Sequence, residues 1–513
     1  MAPQKPNLLR PLTRREPGGS GSGRSRFVPL STQTLLQGAA ATAALAATAA
    51  GIYALTNLDL RPKPSETNYM GDPIHNFTPL GQNPGQVQPR QYAQQGFPPA
   101  PVPTPMAPGA GWFEDLFGFS DVNKNGDKAK FEISHGKFAY DPETGILSST
   151  AVQGVTWQAG HFEVASLAHL RKQTADEMAR MNAAPSPTTV RFVTGDVAIL
   201  HGDPAYAGAV FQAASQFNCL EFVSAAQTPE RGVAIYVAEP TQGPACAISC
   251  APGTIVRNYF AYENGTQPQS EARQVNTLSE VNAALRTKAY RADADKQKML
   301  VDVKNGYTDS STGRLRTLNR TIELLGAESR SLMGSLQVGV QLDTQVTCTK
   351  LQQEGRWHKV NATQPVLVTQ VYASAIPIGY ATAGGVEEWK PLAELVLEAA
   401  YEATLHAAVR QAMAKKAKAV EAGEAGEAGR QKVVLTALGY GDDQIEWASS
   451  AIVKALKIFR GAGLDVVINE YGAGDLDKIK QAIEADEETK ALLQSEGAFG
   501  HEHRVRPVVM YTE

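Results

Sequence analysis

Apolar residues recur along the chain in two spacings, one typical of buried strands and one typical of helices. Runs that are apolar along most of their length predict strands covered on both faces, as in VRFVTGDVAIL, AGAVFQAASQFNCLEF, RGVAIYVAE and QPVLVTQVYASAIPIGYA. Helical spacing recurs over SLAHLRKQTADEMARMN, GRLRTLNRTIELLGAESRSLMGSL and PLAELVLEAAYEATLHAAVRQAMAKKAKAV. Strands that alternate with helices in this way predict an α/β three-layer sandwich with a mixed sheet.

The end of this pattern predicts a βαβ unit. The run KVVLTALGYGDDQIEWASSAIVKALKIFRGAGLDVVINEYG indicates a strand, a glycine-bearing turn, a helix and a second strand. The turn, Gly439–Gly441, falls at the carboxyl end of the first strand, where ligands bind in open α/β sheets. The helical pattern between residues 267 and 336 predicts a helical insertion in the sheet domain.

The N-terminal part of the chain differs from the rest. Residues 1–26 hold six lysines and arginines against one acid, and no charged residue occurs from Phe27 to Leu58. Within this stretch, residues 35–55 are long enough to cross a bilayer as a helix, although they are mostly alanine and threonine. We therefore expect a single-pass membrane protein; the alternative is a targeting segment for a mitochondrion or plastid.

These changes in pattern divide the chain into five segments. Proline, glycine and glutamine dominate between the basic segment and the first aromatic cluster, GWFEDLFGF, so we expect a disordered linker there. The expected plan is an anchor or targeting segment at 1–60, a linker at 61–111, an N-terminal extension at 112–190, the α/β domain at 191–475 and a C-terminal helix and tail at 476–513.

The composition argues against nucleic-acid binding, a disulfide-stabilised fold and a structural zinc site. The net charge is −4 and the basic residues cluster only at the N-terminus, so nucleic acid is not an expected partner. Four cysteines are too few for a disulfide framework, and the Cys246–Cys250 spacing lacks the second pair that a zinc site needs. We expect no metal and no cofactor. The stretch DVNKNGDKAKFE, residues 121–132, matches a calcium loop in its oxygen ligands, but a turn between short strands is the favoured interpretation.

Two further features suggest a ligand site. The run PTQGPACAISCAPGT follows a predicted strand, and its small residues suit either close approach to a phosphate or a tightly packed loop-to-helix junction. Cys246 within it is predicted to be a buried thiol rather than a nucleophile. On the long apolar helix, Glu398 and Glu402 belong to an acidic stripe that is either a solvated edge or one wall of a ligand cleft.

Several of these motifs resemble those of macro domains, the ADP-ribose-binding superfamily that includes poly(ADP-ribose) glycohydrolases. Gly195-Asp196-Val197 is similar to the Gly-Asp-Ile of that superfamily, and AVFQAASQFN is similar to its strand ending in Asn-Ala-Ala-Asn. GPACAI stands in the place of the first phosphate loop, and the glycine–aromatic–glycine turn resembles the second. The resemblance implies base recognition by Asp196, ribose binding by Asn218, and a diphosphate held among Gly243, Cys246, Gly439, Tyr440 and Gly441.

The resemblance implies recognition of ADP-ribose or a related nucleotide, with hydrolysis as an additional activity. Gln212 and Ser215 stand where macro domains have asparagines, and the acidic pair of the glycohydrolases is absent from GPACAI. Binding is therefore favoured over hydrolysis. From Phe113 onward the chain also resembles a set of proteins of uncharacterised activity. The alternative function is a non-catalytic, membrane-anchored scaffold that keeps the fold without the ligand.

Overall fold

A computed structural model of the chain describes residues 102–181, 184–351, 355–423, 429–439 and 442–493. Its strands are β1 Thr104–Pro105, β2 Phe138–Asp141, β3 Ile146–Ser149, β4 Val152–Gln158, β5 His161–Ser166, β6 Thr189–Thr194, β7 Val210–Ala214, β8 Asp302–Lys304, β9 Tyr307–Asp309, β10 Gln337–Gln345, β11 Cys348–Lys350, β12 Trp357–Lys359, β13 Leu367–Ala373, β14 Gln431–Leu435 and β15 Leu464–Glu470.

Thirteen α-helices lie within the described ranges. They are α1 Gly111–Phe117, α2 Lys128–His135, α3 Leu167–Arg180, α4 Val197–Gly202, α5 Gln242–Ser249, α6 Ala251–Tyr259, α7 Ser279–Tyr290, α8 Thr312–Leu325, α9 Ser329–Met333, α10 Val386–Glu421, α11 Asp442–Phe459, α12 Ala473–Glu484 and α13 Glu487–Lys490.

The central sheet has seven strands in the order β5-β10-β13-β7-β14-β15-β6. The strands from β13 to β6 run parallel, and β10 pairs antiparallel with both of its neighbours. Alternate residues of the middle strands enter opposite cores: Val433 and Leu435 pack on one face, and Val434 packs on the other. The predicted α/β sandwich with a mixed sheet is confirmed.

The two faces of the sheet are covered by different layers. Helices α3, α7, α8, α10, α11 and α12 contribute to one core. The other core contains α1, α2, α4, α5 and α6 together with the aromatic cluster around Trp112. The segment 267–336 is largely helical, as predicted, but it also carries the β8–β9 hairpin.

Three local predictions of strand are wrong. The strand expected to reach Leu200 ends at Thr194, because the Asp196 carboxylate caps α4 through the backbone N–H of Ala198, 2.9 Å away. RGVAIYVAE forms two short 3-10 turns instead of a strand. The strand expected directly after the calcium-like loop is replaced over Lys128–His135 by helix α2, whose first N–H groups bond to the side chain of Asp127.

The prediction of a single-pass membrane protein is also wrong as it stands. None of the helices within the described ranges is long and apolar enough to cross a membrane. The segment at 35–55 on which that prediction rested lies outside the described residues, as do nearly all of the 61–111 linker up to residue 101 and the tail after residue 493.

Candidate functional site

A cleft of about 920 Å³ opens at the carboxyl ends of the parallel strands. The residues that follow β6, β7, β13, β14 and β15 all contribute to its walls. Parallel strands end in unpaired backbone groups and lead into helix N-termini, so this edge of an α/β sheet is where polar ligands bind. Among the described residues, those lining the cleft include no lysine or arginine.

Helix α5 begins at the cleft and is fixed to the end of β7. The Gln242 side chain accepts a hydrogen bond from the Ala214 N–H at 2.8 Å and donates one to the Gln212 carbonyl at 2.7 Å. A Cβ atom at Gly243 would overlap the Ala214 carbonyl oxygen, so only glycine allows this approach. Thr241, the N-cap residue, makes no side-chain cap. The first turn of α5 is thus packed against the sheet and directed to the cleft without a capping side chain.

Gly439 lines the cleft beyond β14, three residues before α11 begins. Its φ is +104°, a conformation that residues with a side chain rarely adopt, and a Cβ there would overlap the Gln444 side chain. The structure therefore brings Gly243 and Gly439 to the same cleft, and phosphate binding by these two segments stays a prediction. Tyr440 and Gly441 lie outside the described residues.

Glu221 is a cleft residue that the sequence analysis missed. Its side chain is buried, its Oε1 has no hydrogen-bond partner, and its Oε2 lies against Gly243 at the start of α5. Burial raises the pKa of Glu221 to about 7, against the lowering effects of the Arg257 charge and a hydrogen bond from Ser215. The available signal was a single acid between two apolar residues in NCLEF.

Glu470 is a second carboxyl in the cleft, partly buried at the end of β15. Its Oε1 accepts hydrogen bonds from the Thr436 hydroxyl, 2.9 Å away, and from the Ala437 N–H. Burial raises its pKa to about 7, although both hydrogen bonds favour the ionised form. Glu470 thus ties β15 to the segment that leads into Gly439.

Asp196 lines the cleft at the edge formed by β6. Besides capping α4, its carboxylate forms a 2.8 Å ion pair with Lys350 on β11. A carboxylate oxygen has two lone pairs, so each oxygen of Asp196 can still accept a hydrogen bond from a ligand. Asp196 is thus at the cleft, and its role in ligand binding stays a prediction.

Asn218 and Cys246 do not line the cleft. The Asn218 side chain accepts from the Leu220 N–H at 3.1 Å and donates to the Gln274 side chain at 2.8 Å. It therefore shapes the loop before Glu221. Cys246 is fully buried in α5, and burial raises the pKa of its thiol well above the ordinary value, as expected of a structural cysteine.

The acidic stripe of α10 faces away from the cleft. Glu398 forms an ion pair with Lys454 of α11. Glu402 accepts two hydrogen bonds from Arg171 of α3, at 2.6 and 2.9 Å, and lies 3.6 Å from the ring of His406. Burial would raise the pKa of Glu402, but the nearby imidazole of His406 and the guanidinium of Arg171 hold it at about 2. The stripe joins helices, and neither glutamate lines the cleft.

The calcium-like loop uses its oxygens within the protein. The Asp121 carboxylate accepts from the N–H groups of Val233 and Ala234 and from the Tyr259 hydroxyl, at 2.8 to 3.1 Å. Burial raises the pKa of Asp121 to about 6, against these hydrogen bonds. No group of three or more His, Cys, Asp or Glu side chains that could hold a metal occurs in the part of the chain that the structure describes.

No protein-family model matches the sequence, and no curated protein matches it. Solved structures similar to this chain include a poly(ADP-ribose) glycohydrolase from Thermomonospora curvata, 15% identical, with a TM-score of 0.30 over 69% of this chain and 97% of that one. Another is the enzyme from Deinococcus radiodurans in complex with ADP-ribose, 10% identical, with a TM-score of 0.27 over 63% of this chain and 94% of that one. These enzymes belong to the superfamily that the sequence motifs resemble. TM-scores this low carry no argument about function. Any function proposed for the chain has to rest on the residues of the cleft.

Proposed function

We propose that the cleft binds ADP-ribose or a chemically related nucleotide, with its diphosphate between the start of α5 and the Gly439 turn. A diphosphate can be held by backbone N–H groups and helix N-termini without basic side chains. Gly243 and Gly439 both line the cleft at these two places, and Thr241 does not cap α5. The absence of lysine and arginine from the described lining residues is compatible with this mode of binding.

The observation that carries the proposal is that the buried carboxyl of Glu221 has an oxygen, Oε1, without a hydrogen-bond partner. A buried carboxyl with an unpartnered oxygen destabilises a fold by about 1–3 kcal/mol, and such groups are characteristic of functional sites. Oε1 needs a hydrogen-bond donor, and a ribose hydroxyl next to a diphosphate at α5 would supply one. We therefore propose that the sugar lies beside Glu221 and the phosphates beside Gly243.

The base would lie toward the other end of the cleft. Asp196 there has acceptor capacity for an amino group such as that of adenine. The ring of Tyr471, which follows β15 and is 79% exposed, offers a surface for stacking. Asn218 would support the ribose indirectly, through the loop that carries Glu221.

Hydrolysis is the second part of the proposed function. A carboxyl whose pKa lies near 7 is protonated in about half of the molecules at neutral pH, so Glu221 could donate or accept a proton at a bound glycosidic bond. If the chain binds without turnover, it is a nucleotide-binding module. A scaffold that has lost the ligand, the alternative from the sequence, predicts neither activity.

Calorimetric titration of the full chain with ADP-ribose tests the proposal. We expect one site per chain, lost or weakened at least tenfold in Glu221→Gln. Glu402→Gln is the matched control, because it makes the same substitution in a buried glutamate outside the cleft, and it should bind normally if folded. No heat with millimolar ADP-ribose, or equal weakening in both variants, would contradict the proposal.

A further inference from the structure

The end of the cleft opposite Asp196 carries two tyrosines that the proposed function does not use. Tyr380 follows β13 and is 58% exposed, and Tyr307 begins β9 in the helical insertion. Both line the cleft, and their ring centroids are 5.0 Å apart with the planes inclined by 61°. An exposed aromatic ring at the mouth of a polar cleft can stack on a planar group of a ligand.

This pair of tyrosines is held in place on both sides. The Tyr307 ring is buried, and its hydroxyl donates to the Phe222 carbonyl at 2.7 Å. The Tyr380 N–H donates to the Pro377 carbonyl in a 3-10 turn. Two residues further on, the N–H and hydroxyl of Thr382 donate to the Asp309 carboxylate at 2.8 to 2.9 Å. A ring fixed in advance loses little conformational entropy when it stacks on a ligand.

The position of the two tyrosines in the cleft indicates which part of a bound nucleotide they would contact. Phe222, which anchors Tyr307, is the neighbour of Glu221 in the chain, so the pair lies beside the proposed sugar position. Tyr471 directly follows β15, whereas Tyr380 lies in the 3-10 turn Ile378–Tyr380 of the connection after β13. In the sheet order, β7 and β14 lie between β13 and β15, so the ends of these two strands are about 14 Å apart at the usual separation of strands. We therefore assign the two rings to different planar groups of the ligand.

We infer that the cleft takes a dinucleotide, in which two bases are joined through a diphosphate and the second base stacks on Tyr380. This inference rests on the proposed function and specifies its ligand: the first base lies at Tyr471 and Asp196, the diphosphate at α5, and the second ribose at Glu221. ADP-ribose would fill the same cleft but leave Tyr380 uncovered.

Calorimetry of the full chain with three ligands tests this inference. NAD⁺ and diadenosine diphosphate carry a second ring, and ADP-ribose lacks it. We expect both dinucleotides to bind roughly tenfold more tightly than ADP-ribose, the scale of one base stacked on one aromatic side chain. Tyr380→Ala should remove that preference and leave the ADP-ribose affinity within about twofold, whereas Tyr380→Phe, which keeps the ring, should retain the preference.

The calorimetric results distinguish a failure of the dinucleotide inference from a failure of the proposed function. Equal affinities for all three ligands, or a Tyr380→Ala variant that loses ADP-ribose and dinucleotide affinity equally, would overturn the dinucleotide and leave nucleotide binding intact. Binding of none of the three would overturn both. A melting temperature of Tyr380→Ala equal to that of the original chain establishes that the exposed ring was removed without loss of the fold.

Discussion

Replacement of Glu221 by glutamine is expected to stabilise the protein at alkaline pH. Burial raises the pKa of Glu221 from 4.5 to about 7. Between these two values the native state holds a proton that the unfolded state has released, so the free energy of unfolding falls as pH rises and the loss is complete above pH 7. At 1.36 kcal/mol per pKa unit, the ionised carboxyl destabilises the fold by about 3 kcal/mol. Glutamine has nearly the same shape and carries no charge.

Urea unfolding of the full chain at pH 5 and pH 8 measures this effect. At pH 8 we expect Glu221→Gln to unfold with a free energy about 3 kcal/mol above that of the original chain, and at pH 5 the gain should shrink to less than about 1 kcal/mol. Glu470 titrates in the same range in both proteins, so its contribution cancels in the difference. The same variant should lose ADP-ribose binding, since the carboxyl is retained for the ligand.

Glu402→Gln is expected to change the free energy of unfolding in the opposite direction. Its folded-state pKa, about 2, lies below the usual 4.5, so the carboxylate contributes stability that is present above pH 4.5 and lost as pH falls toward 2. Glutamine there should lower the unfolding free energy at pH 8 by about 3 kcal/mol. If Glu221→Gln also destabilised the protein at pH 8, Glu221 would be a structural residue like Glu402, and the reasoning that places a ligand at its Oε1 would be refuted.

Three further predictions concern the walls of the cleft. Gly243→Ala should abolish ADP-ribose binding and lower the melting temperature, because its Cβ overlaps the Ala214 carbonyl; normal binding by this variant would show that the close approach is unnecessary. Tyr471→Ala should weaken ADP-ribose binding roughly tenfold with no change in melting temperature, since the ring is 79% exposed. Unchanged affinity by calorimetry would contradict the stacking of the base on Tyr471. Asp196→Asn should weaken ADP-ribose more than ribose 5-phosphate, which lacks the base, and equal weakening would assign Asp196 to the fold alone.

Local pattern was sufficient to predict the middle of the fold. Strands β7, β13, β14 and β15 are apolar on both faces and were recognised from that property alone, and the glycine before α11 indicated where the chain turns at the sheet edge. The pattern failed at Asp196, where one capping carboxylate converts an apolar run from strand to helix. It failed in RGVAIYVAE because β-branched and aromatic residues pack equally well in short turns when tertiary contacts cover them.

The candidate site was harder to predict because its properties arise from contacts distant in sequence. Glu221 owes its raised pKa to burial beneath elements such as α5. The local sequence NCLEF does not indicate which helix will cover this residue. The stripe on α10 could be a cleft wall or a solvated edge until Arg171, 231 residues away, was seen to pair with Glu402. Both glycines could be located from the sequence, since a turn or helix start that tolerates no side chain is a local requirement.

A crystal structure of the full chain with ADP-ribose tests the central claim most directly. The account predicts a diphosphate within hydrogen-bond distance of the backbone at Gly243 and near Gly439, and a ribose hydroxyl donating to Oε1 of Glu221 at 2.5–3.0 Å. ADP-ribose bound elsewhere, or bound in this cleft with Glu221 still unpartnered, would contradict it.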